Sequence, residues 1–460
     1  MLVKKIPWIE PIKAFENFAD NPFVAFLHSD GSHVLGRWSY IAVSPFTVLK
    51  TNTLFESQVN NKTVNQNPFD LLKRIIQKYD AKNYPGLPPF QGGAVGFLSY
   101  ELANCLEELP RTTLNEDYPL LFVGLYDIVV AFDHLEESVI IMSSGLPEHK
   151  HEECSLRKKE RAQWVIQELN KKPANIAKNS HANWSPDKSR QWVEESIRKT
   201  IDYINQGDIF QANITQRFTA IKPTDQSAWD IFKKLRRNLP SPFGAYISAG
   251  KNFQVLSASP ERFIKIDNNG VIETRPIKGT RPRSSDKKRD EALAHELVNS
   301  PKDRAENLMI VDLMRNDLSR VCMPGSVEVP QLCKLETFSK VHHLVSVVKG
   351  QLTSEKHVID ALKACFPGGS VTGAPKIRAM EIISELEPEP RGAYCGATAW
   401  IGFNGTMDSS ILIRCLVVNR NEITAQAGGG IVSDSDPPVE FEEAMTKISP
   451  VLSVLEREIP

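Results

Sequence analysis

The chain has 460 residues, of which 41% are apolar and 24% charged. These ordinary globular values exclude a disordered or fibrous chain, and a length of about 150 residues per domain predicts roughly three folding units. Lys and Arg number 55 against 56 Asp and Glu, so the net charge of −1 excludes a strongly basic nucleic-acid binder. A locally positive pocket for an acidic small molecule stays open.

Neither a disulfide framework nor a membrane segment is expected. The seven cysteines are scattered and form no CxxC pair, which disfavours a zinc knuckle and suits a reducing cytosol. Residues 1–15 lack the apolar core of a signal peptide. The apolar stretch Pro119–Phe132 is interrupted by Asp127 and is too short to cross a bilayer. We therefore predict a cytoplasmic protein.

Residues 1–145 are predicted to contribute strands and short helices to a sheet core. Asn67–Asp80 has apolar residues at helical spacing and predicts a helix. Gln91–Tyr100 reads as a strand interrupted by glycines, and Leu120–Phe132 and Ser138–Ser143 as two paired strands around a polar turn.

Residues 146–190 are polar and are predicted to form an exposed helix followed by a linker. Residues 191–460 form the predicted catalytic region, in which strand clusters with interspersed helices favour an α+β layered fold over regular βαβ winding. The predicted helices are Gln191–Asn205, Asp286–Asn299, Asp303–Leu318, Ala374–Leu386 and Pro437–Glu456. The predicted strands are Gln211–Ile221, Gly244–Ala249, Val255–Lys265, Gly270–Thr274, Ala393–Phe403, Met407–Val418 and Glu422–Ala427.

One lysine stands in a segment stiffened by proline and followed by glycine, Thr274–Arg283 (TRPIKGTRPR). Gly279 would let the backbone approach a ligand closely. Only the neutral amine is a nucleophile, and both burial and the neighbouring arginines would lower the pKa of Lys278. Lys278 is therefore a candidate nucleophile, although local composition alone favours an exposed basic loop.

A glutamate is the second candidate. Glu261, in Ser259–Phe263 (SPERF), precedes an Asn-Asn-Gly turn that predicts a hairpin. Pairing in that hairpin would return Glu261 to the neighbourhood of Lys278, where a carboxyl group can act as general acid for a leaving hydroxyl. The alternative is a glutamate at a strand edge, paired with Arg262.

Carboxylates on two predicted helices form a third pattern. Glu306 lies near the start of one helix, and Glu440, Glu443 and Lys447 are spaced i, i+3 and i+7 on another, so they share a face. Two carboxylates from two helices suit Mg²⁺, which keeps positions for water and an anionic substrate. Taken separately, each pattern is also typical of a solvated helix face.

Two glycine-rich turns complete the candidate sites. Phe366–Lys376 leads straight into a helix, and Gly428–Gly430 follows a strand. Their backbone N–H groups can hold a carboxylate. Neither matches GxxxxGK[ST] or GxGxxG, so no nucleotide is implied, and a simple tight turn is the alternative.

In this order, the segments resemble the chorismate-utilising enzyme family. The resemblance is strong over residues 190–460 and extends to the earlier part only in general layout. It implies two packed antiparallel β-sheets flanked by helices, with the site between them. The matching strings are GDIFQANITQR, SPERF, TRPIKGTRPR, DRAENLMIVDLMRNDL, GGSVTGAPKIRAM, RGAYCGATAWIGFNG, MDSSILIRC and AGGGIVSDSDPPVEFEEAMTK.

Within the family, Lys278 in PIKG is similar to the branch that converts chorismate and ammonia to 4-amino-4-deoxychorismate, on the route to 4-aminobenzoate and folate. The resemblance implies that Lys278 attacks C2 of chorismate, Glu261 helps the 4-hydroxyl leave, and ammonia adds at C4. Gln211 stands where the isochorismate and salicylate branch has a lysine that activates water, so ammonia is the expected nucleophile. The branch that makes anthranilate, which reads PIAG, is the alternative.

The resemblance also implies a Mg²⁺ cofactor that clamps the ring carboxylate. Glu306 and Glu443 would ligate it, and Glu440 would help through water. The residues implied to hold the enolpyruvyl carboxylate are Arg414, Tyr394, Gly428 and Gly430, and those implied to complete the substrate pocket are Gln211, Gly279, Thr280, His343, Ser370 and Lys447.

Partners and regulation follow from the same resemblance. The chain contains no GxCxG string of a class I glutaminase, so a separate glutaminase subunit is expected to supply ammonia. Arg37–Tyr40 lies in the region where relatives bind tryptophan, but it departs from the feedback pattern, which predicts no strong inhibition by tryptophan. A catalytically silent binding subunit is the alternative of a different class.

Overall fold

Two antiparallel β-sheets, flanked by helices, form the core of the molecule. The structure is a computed structural model that describes residues 1–31, 34–110, 114, 117–171, 180–338 and 340–456. Within these ranges, each sheet has 12 strands. The predicted α+β fold with two packed antiparallel sheets is confirmed.

The strands in chain order are β1 (Leu2–Ile6), β2 (Ala25–His28), β3 (Trp38–Ala42), β4 (Thr47–Thr53), β5 (Glu56–Val59), β6 (Lys62–Asn65), β7 (Gly93–Leu98), β8 (Leu121–Tyr126), β9 (Ile128–Asp133), β10 (Ser138–Ser143), β11 (Ser185–Pro186), β12 (Gln211–Ile221), β13 (Phe243–Ser248), β14 (Phe253–Ser259), β15 (Arg262–Ile266), β16 (Val271–Thr274), β17 (Ile277–Pro282), β18 (Glu328–Thr337), β19 (Val341–Gln351), β20 (Gly373–Ala374), β21 (Ala397–Gly402), β22 (Met407–Ile411), β23 (Cys415–Asn419) and β24 (Glu422–Ile431).

The α-helices in chain order are α1 (Pro11–Glu16), α2 (Pro68–Ile76), α3 (His151–Leu169), α4 (Arg190–Asn205), α5 (Ala228–Asn238), α6 (Lys287–Asn299), α7 (Pro301–Ser319), α8 (Val358–Cys365), α9 (Lys376–Leu386) and α10 (Pro437–Leu452). Short 3₁₀ turns cover Val34–Gly36, Gln77–Tyr79, Tyr100–Cys105 and Gly369–Val371.

Side-chain caps fix where several helices begin, because each cap oxygen accepts an otherwise unpaired backbone N–H of the first turn. Asn67 caps α2, Ser300 caps α7 and Asp436 caps α10. The last two of these helices carry the predicted metal ligands near their capped ends. The N-terminal caps therefore fix the residue at which each helix begins, and with it the position of those carboxylates.

Each sheet mixes strands from the first 145 residues with strands from the region after residue 190. Sheet 1 has the order β1-β10-β9-β3-β2-β13-β14-β23-β24-β12-β11, and β20 also pairs with β12. Sheet 2 has the order β17-β19-β16-β15-β22-β21-β7-β8-β4-β5-β6, and β18 also pairs with β19. The N-terminal strands thus take part in both sheets.

Three segments that were predicted as single strands are each divided between the two sheets. Leu120–Phe132 is split at buried Asp127, which pairs with Arg157 and Arg161. Val255–Lys265 is split at Pro260-Glu261, where proline has no N–H for a ladder. Met407–Val418 is split before Cys415. In each segment the pairing partners change at the split, and the alternation of side chains along a strand does not record which strand it will pair with.

Two of these crossings lie side by side. The backbone N–H of Ala258 donates to the carbonyl of Arg414, and the N–H of Ile411 donates to the carbonyl of Glu261, both at 3.1 Å. The pairs β14–β23 and β15–β22 therefore leave one sheet and enter the other together. Glu261 and Arg414, both predicted site residues, sit at the point of crossing.

The main core lies between the sheets, where Phe97 of sheet 2 stacks on Phe253 of sheet 1 with ring centroids 5.8 Å apart. A second core covers the outer face of sheet 1, where α1, α3, α5 and α10 pack. A third joins α4 and α9 to β12. In all three the buried residues are aliphatic and aromatic side chains, as the hydrophobic effect requires.

The predicted polar helix in residues 146–190 forms as α3, and residues 172–179 of the predicted linker lie outside the described residues, as do residues 457–460. The closing helix ends at Leu452 rather than at the predicted Glu456. Among the described helices, none is both long enough and apolar enough to cross a membrane.

Candidate active site

Lys278 lies in a β-bulge at an edge of sheet 2. The pairing of β17 with β19 is regular at Ile277 and at Thr280 but shifts register between them. Gly279 has a φ of +80°, and a Cβ there would lie 2.8 Å from Asp303 Oδ1, so only glycine suits the position. The bulge leaves the Lys278 side chain 12% exposed, with Nζ 3.8 Å from Glu306 Oε2.

Burial lowers the pKa of Lys278. The carboxylate of Glu306 opposes this shift, and the ammonium of Lys447 reinforces it. Lys278 is therefore neither an exposed basic side chain nor one held charged by a tight ion pair. Such an amine is neutral more often than a surface lysine at the same pH.

Glu261 is 6% exposed at the crossing between the sheets. Burial raises the pKa of its carboxyl group to about 7, while a hydrogen bond with Ser370 and the charge of Lys278 work against that rise. Its backbone N–H donates to Ser259 Oγ at 3.2 Å. A carboxyl group with a pKa near neutrality can hold a proton and release it, as a general acid must.

The three predicted metal ligands each face a lysine. Nζ of Lys302 lies 3.3 Å from Glu440 Oε1, and Nζ of Lys447 lies 2.7 Å from Glu443 Oε1. Ser435 Oγ also donates to Glu440 Oε1 at 2.7 Å. Together with the contact between Lys278 and Glu306, these contacts make a cluster of three carboxylates and three lysine side chains between α7, α10 and β17.

The donor set fits Mg²⁺ in chemistry, because carboxylate oxygens are the protein ligands that this ion prefers. Among the described residues, no three His, Cys, Asp or Glu side chains converge closely enough to cage a metal ion. Mg²⁺ needs no such cage, since one or two carboxylates with water and an anionic substrate satisfy it. Glu306 on α7 and Glu443 on α10 suit that open arrangement.

The glycines of β24 make room for neighbouring side chains. A Cβ on Gly430 would lie 1.8 Å from Gln211 Nε2 and 3.2 Å from Lys278 Nζ. Gln211 is 1% exposed, and its Oε1 has no hydrogen-bond partner in the part of the chain that the structure describes. The carbonyl of Gly428 accepts a hydrogen bond from Lys447 Nζ at 3.2 Å. Gln211, Gly430 and Lys278 therefore meet at one point.

His343 and Thr280 form a second group on the paired strands β17 and β19. Thr280 Oγ1 and His343 Nδ1 share a hydrogen bond of 2.8 Å. Burial lowers the pKa of His343 to about 3, and the nearby Arg414 guanidinium adds to that shift. The imidazole is thus neutral at physiological pH, and its Nε2 has no partner among the described residues.

Arg414 has a φ of +50° at the crossing from β22 to β23. Its guanidinium makes no ion pair within 4.0 Å of a described carboxylate, whereas burial lowers its pKa. Buried charges are normally paired. An arginine in this state suits a carboxylate of a bound ligand.

Ser370 and Tyr394 complete the predicted set. Ser370 lies in the 3₁₀ turn before β20 and bonds to Glu261. Tyr394 is 5% exposed, and burial raises the pKa of its hydroxyl well above the usual range, while the charge of Arg391 opposes that rise. The structure thus joins Ser370 to Glu261 and brings Tyr394 together with Cys395 and Arg391.

Sequence reasoning missed Lys302 and Ser435, which both contact Glu440. A signal for Lys302 was present, since it stands four residues before Glu306 and therefore on the same helix face. Ser435 stands immediately before the cap of α10, and no local pattern marks it as a partner of Glu440.

Comparisons with known proteins identify the family of this chain. Residues 29–453 match the family described as chorismate binding enzyme. The chain is 40% identical over 460 residues to aminodeoxychorismate synthase component 1 of Klebsiella aerogenes, covering 98% of both chains. It is 35% identical over 461 residues to anthranilate synthase component 1 of Acetivibrio thermocellus, covering 97% of this chain and 92% of that one. This chain therefore belongs to the chorismate-binding enzyme family.

A solved structure shares the fold. Anthranilate synthase component I from Streptococcus pneumoniae superposes with a TM-score of 0.80 at 32% identity, and the match covers 91% of this chain and 93% of that one. The similarity extends over both sheets, so the site described above lies within a family fold.

Proposed function

We propose that the protein converts chorismate and ammonia to 4-amino-4-deoxychorismate. The observation that carries this proposal is the buried amine of Lys278, whose pKa is lowered and whose Nζ stands 3.8 Å from Glu306. The relatives named aminodeoxychorismate synthase component 1, at 38–40% identity, support the same reaction. Because these relatives are named component 1, we also propose a separate second subunit, a glutaminase that supplies the ammonia.

The first step forms a bond between Lys278 Nζ and C2 of the ring. Both conjugated ring double bonds shift by one position, from C1=C2 to C1=C6 and from C5=C6 to C4=C5, and the bond between C4 and its oxygen breaks. Glu261 transfers its proton to the departing hydroxyl, which leaves as water. Glu261 has the pKa of about 7 that this role requires. Lys278 must enter the step as a neutral amine, which its burial favours.

The second step reverses the shift. Ammonia bonds to C4, both ring double bonds move back to their original positions, and the bond between C2 and Lys278 breaks so that the lysine leaves as a neutral amine. The new C4 ammonium returns one proton to the carboxylate of Glu261. The sum is chorismate plus ammonia giving 4-amino-4-deoxychorismate plus water, with both side chains restored. Gln211 beside Lys278 carries an amide, which cannot act as a base on water.

The substrate's two carboxylates have separate partners in this proposal. Arg414, Tyr394 and the backbone of Gly428 and Gly430 would hold the enolpyruvyl carboxylate, with Arg414 as the cation that lacks a carboxylate among the described residues. Glu306 and Glu443 would hold Mg²⁺, with Glu440 acting through water. When bound, the ion would neutralise and orient the ring carboxylate.

The remaining pocket groups have positioning and neutral hydrogen-bonding roles. His343 has a low pKa, and its Nε2 has no partner among the described residues, so the neutral ring would offer this nitrogen to a substrate hydroxyl. Thr280 would fix the ring of His343 through Nδ1. Lys447 would stay as the counter-ion of Glu443 at the rim.

Product analysis tests the proposal. The protein is incubated with chorismate, ammonium and Mg²⁺, and products are separated with and without an added lyase that releases 4-aminobenzoate. We expect 4-amino-4-deoxychorismate, which becomes 4-aminobenzoate only with the lyase. Anthranilate formed without the lyase would instead support the second candidate, which the 35–38% identical anthranilate synthase relatives favour. Zero turnover at saturating ammonia would indicate a silent binding subunit.

A further inference from the structure

A buried arginine lies at the junction of several substrate-site segments without belonging to the predicted site. Arg391 is 2% exposed, between α9 and β21. Its Nε and Nη2 donate to the two carboxylate oxygens of Glu387, each at 2.7 Å. Nη1 donates to the carbonyl of Val371 at 2.8 Å, and Nη2 donates to the carbonyl of Asn213 at 2.6 Å. One planar guanidinium therefore ties three segments together.

The backbone of the same residue makes further ties. Gln426 Nε2 donates to the Arg391 carbonyl at 2.8 Å. The N–H groups of Arg391 and Gly392 both donate to the carboxylate of Glu101. The guanidinium also lies over the ring of Tyr100, 4.5 Å from its centroid. Its polar groups are thus taken up by protein partners rather than offered to a ligand.

Each tie ends close to a group assigned to substrate binding. Val371 follows Ser370, Asn213 is two residues after Gln211 on β12, and Gln426 is two residues before Gly428 on β24. Residues two apart on a strand share a face, so a hydrogen bond that fixes one of them also restricts the position of the other. Gly392 in turn stands two residues before Tyr394. These four residues come from segments as much as 217 residues apart in the chain, from Gln211 to Gly428. Arg391 bonds to three of these segments and lies in the fourth.

We propose that Arg391, held by Glu387 and Glu101, is a positioning residue that sets the relative placement of the segments carrying Gln211, Ser370, Tyr394 and Gly428. This inference rests on the proposed function, because the roles of those four residues come from it. The planar fork is essential to the arrangement, since a lysine ammonium cannot span a carboxylate and two carbonyls in one plane.

The test compares Arg391→Met with a matched control, Arg161→Met. Arg161 also bridges a buried carboxylate, that of Asp127, and two backbone carbonyls, those of Val43 and Ser44. Asp127 adjoins β9, which lies six strand positions from β24 in sheet 1, or about 29 Å at the usual strand spacing. The control therefore removes a similar buried network far from the site.

We expect both variants to lower the Tm, but only Arg391→Met to lower kcat/KM for chorismate, by about 10²-fold, because small misplacements of binding groups have effects of that size. Arg391→Lys should fail to restore it. A loss of stability without a change in kcat/KM, or equal changes in both variants per folded molecule, would overturn the proposal.

If Arg391→Met does not fold, a milder variant tests the positioning role of Arg391. Gln426→Met conserves volume and removes only the bond from β24 to the Arg391 carbonyl. We expect it to raise KM several-fold and to leave the Tm nearly unchanged, and an unaltered KM would overturn the proposal.

Calorimetric binding of chorismate in the presence of Mg²⁺ separates this inference from the proposed function. If the wild type binds chorismate without making 4-amino-4-deoxychorismate, the proposed reaction fails, yet weaker binding by Arg391→Met than by Arg161→Met still supports the positioning role. Equal binding by the two variants contradicts it.

Discussion

Two charged regions of this molecule differ in how completely their charges are paired. A cavity of about 400 Å³ between the sheets is lined by Arg37, Arg262 and Asp408, among others. Arg262 donates to both oxygens of Asp408, at 2.9 and 3.0 Å, and Arg37 donates to both oxygens of Asp133, at 2.9 and 2.6 Å. These bidentate pairs leave the arginines little to offer a ligand.

Several polar groups of the candidate active site lack a close hydrogen-bond or ion-pair partner. Lys278 reaches Glu306 only at 3.8 Å, and Gln211 Oε1 and His343 Nε2 have no partner among the described residues. Glu261 is buried with a raised pKa. Buried polar groups without partners are uncommon, and they are expected where a ligand completes the pairing. The contrast separates the proposed substrate site from a region in which Arg37 and Arg262 are paired within the fold.

The largest expected effect comes from Lys278→Ala. Removing the proposed nucleophile should lower formation of 4-amino-4-deoxychorismate by at least about 10⁴-fold, measured by product separation with chorismate, ammonium and Mg²⁺. Lys265→Ala, which changes a lysine beside the inter-sheet cavity, serves as the control and should retain activity. Unchanged formation by Lys278→Ala would remove the covalent role.

Glu261→Gln is expected to lower kcat by about 10²–10⁴-fold, because a general acid is lost. In the wild type, kcat/KM should fall as pH rises above about 7, since Glu261, with its pKa of about 7, must be protonated to act. The Glu261→Gln variant should lack this decrease in kcat/KM. A pH profile with the same alkaline decline in both proteins would contradict the assignment.

The same substitution should stabilise the fold at alkaline pH. Burial raises the pKa of Glu261 from its usual 4.5 to about 7, so the unfolded chain loses this proton first. Wild-type stability is therefore lost as pH rises from 4.5 to 7, by about 3 kcal/mol in total. In urea unfolding, the free energy of unfolding of Glu261→Gln relative to the wild type should be higher at pH 8 than at pH 5. An equal difference at both pH values would refute this.

Glu443→Gln is expected to raise the Mg²⁺ concentration needed for half-maximal activity by at least about tenfold. The adjacent Glu442→Gln is a matched control, because Glu442 is also exposed on α10 but pairs with Arg190. The measurement is a Mg²⁺ titration at fixed chorismate. If the two variants titrate alike, Glu443 is not a ligand.

The smallest effect is expected in the well-paired region. Tryptophan at concentrations up to about 1 mM should leave the initial rate nearly unchanged, because Arg37 is already paired with Asp133. A dissociation constant near this concentration corresponds to weak binding. Potent inhibition in this titration would show that the inter-sheet cavity is a regulatory site. Both regions would then bind a ligand, and the contrast between them would no longer hold.

Much of the secondary structure could be predicted locally. The strand Gln211–Ile221 has the bounds that its apolar pattern indicates, and α2, α4, α6 and α7 begin within two residues of their predicted starts. Caps such as Asn67 and Ser300 act through neighbours two or three residues away, so the sequence alone displays them. The grouping of Lys278, Glu261 and the carboxylates was anticipated mainly through family resemblance, because they lie up to 182 residues apart.

The sequence by itself determined the residue types of the site, the glycine at position 279 and the capped helix starts, since each depends on a few adjacent residues. Only the tertiary structure decided which strands cross between the sheets, which lysine faces each carboxylate, and that Arg391 links four distant segments. Those outcomes depend on burial and on contacts between remote parts of the chain, and neither local periodicity nor composition records which partner a buried charge will meet.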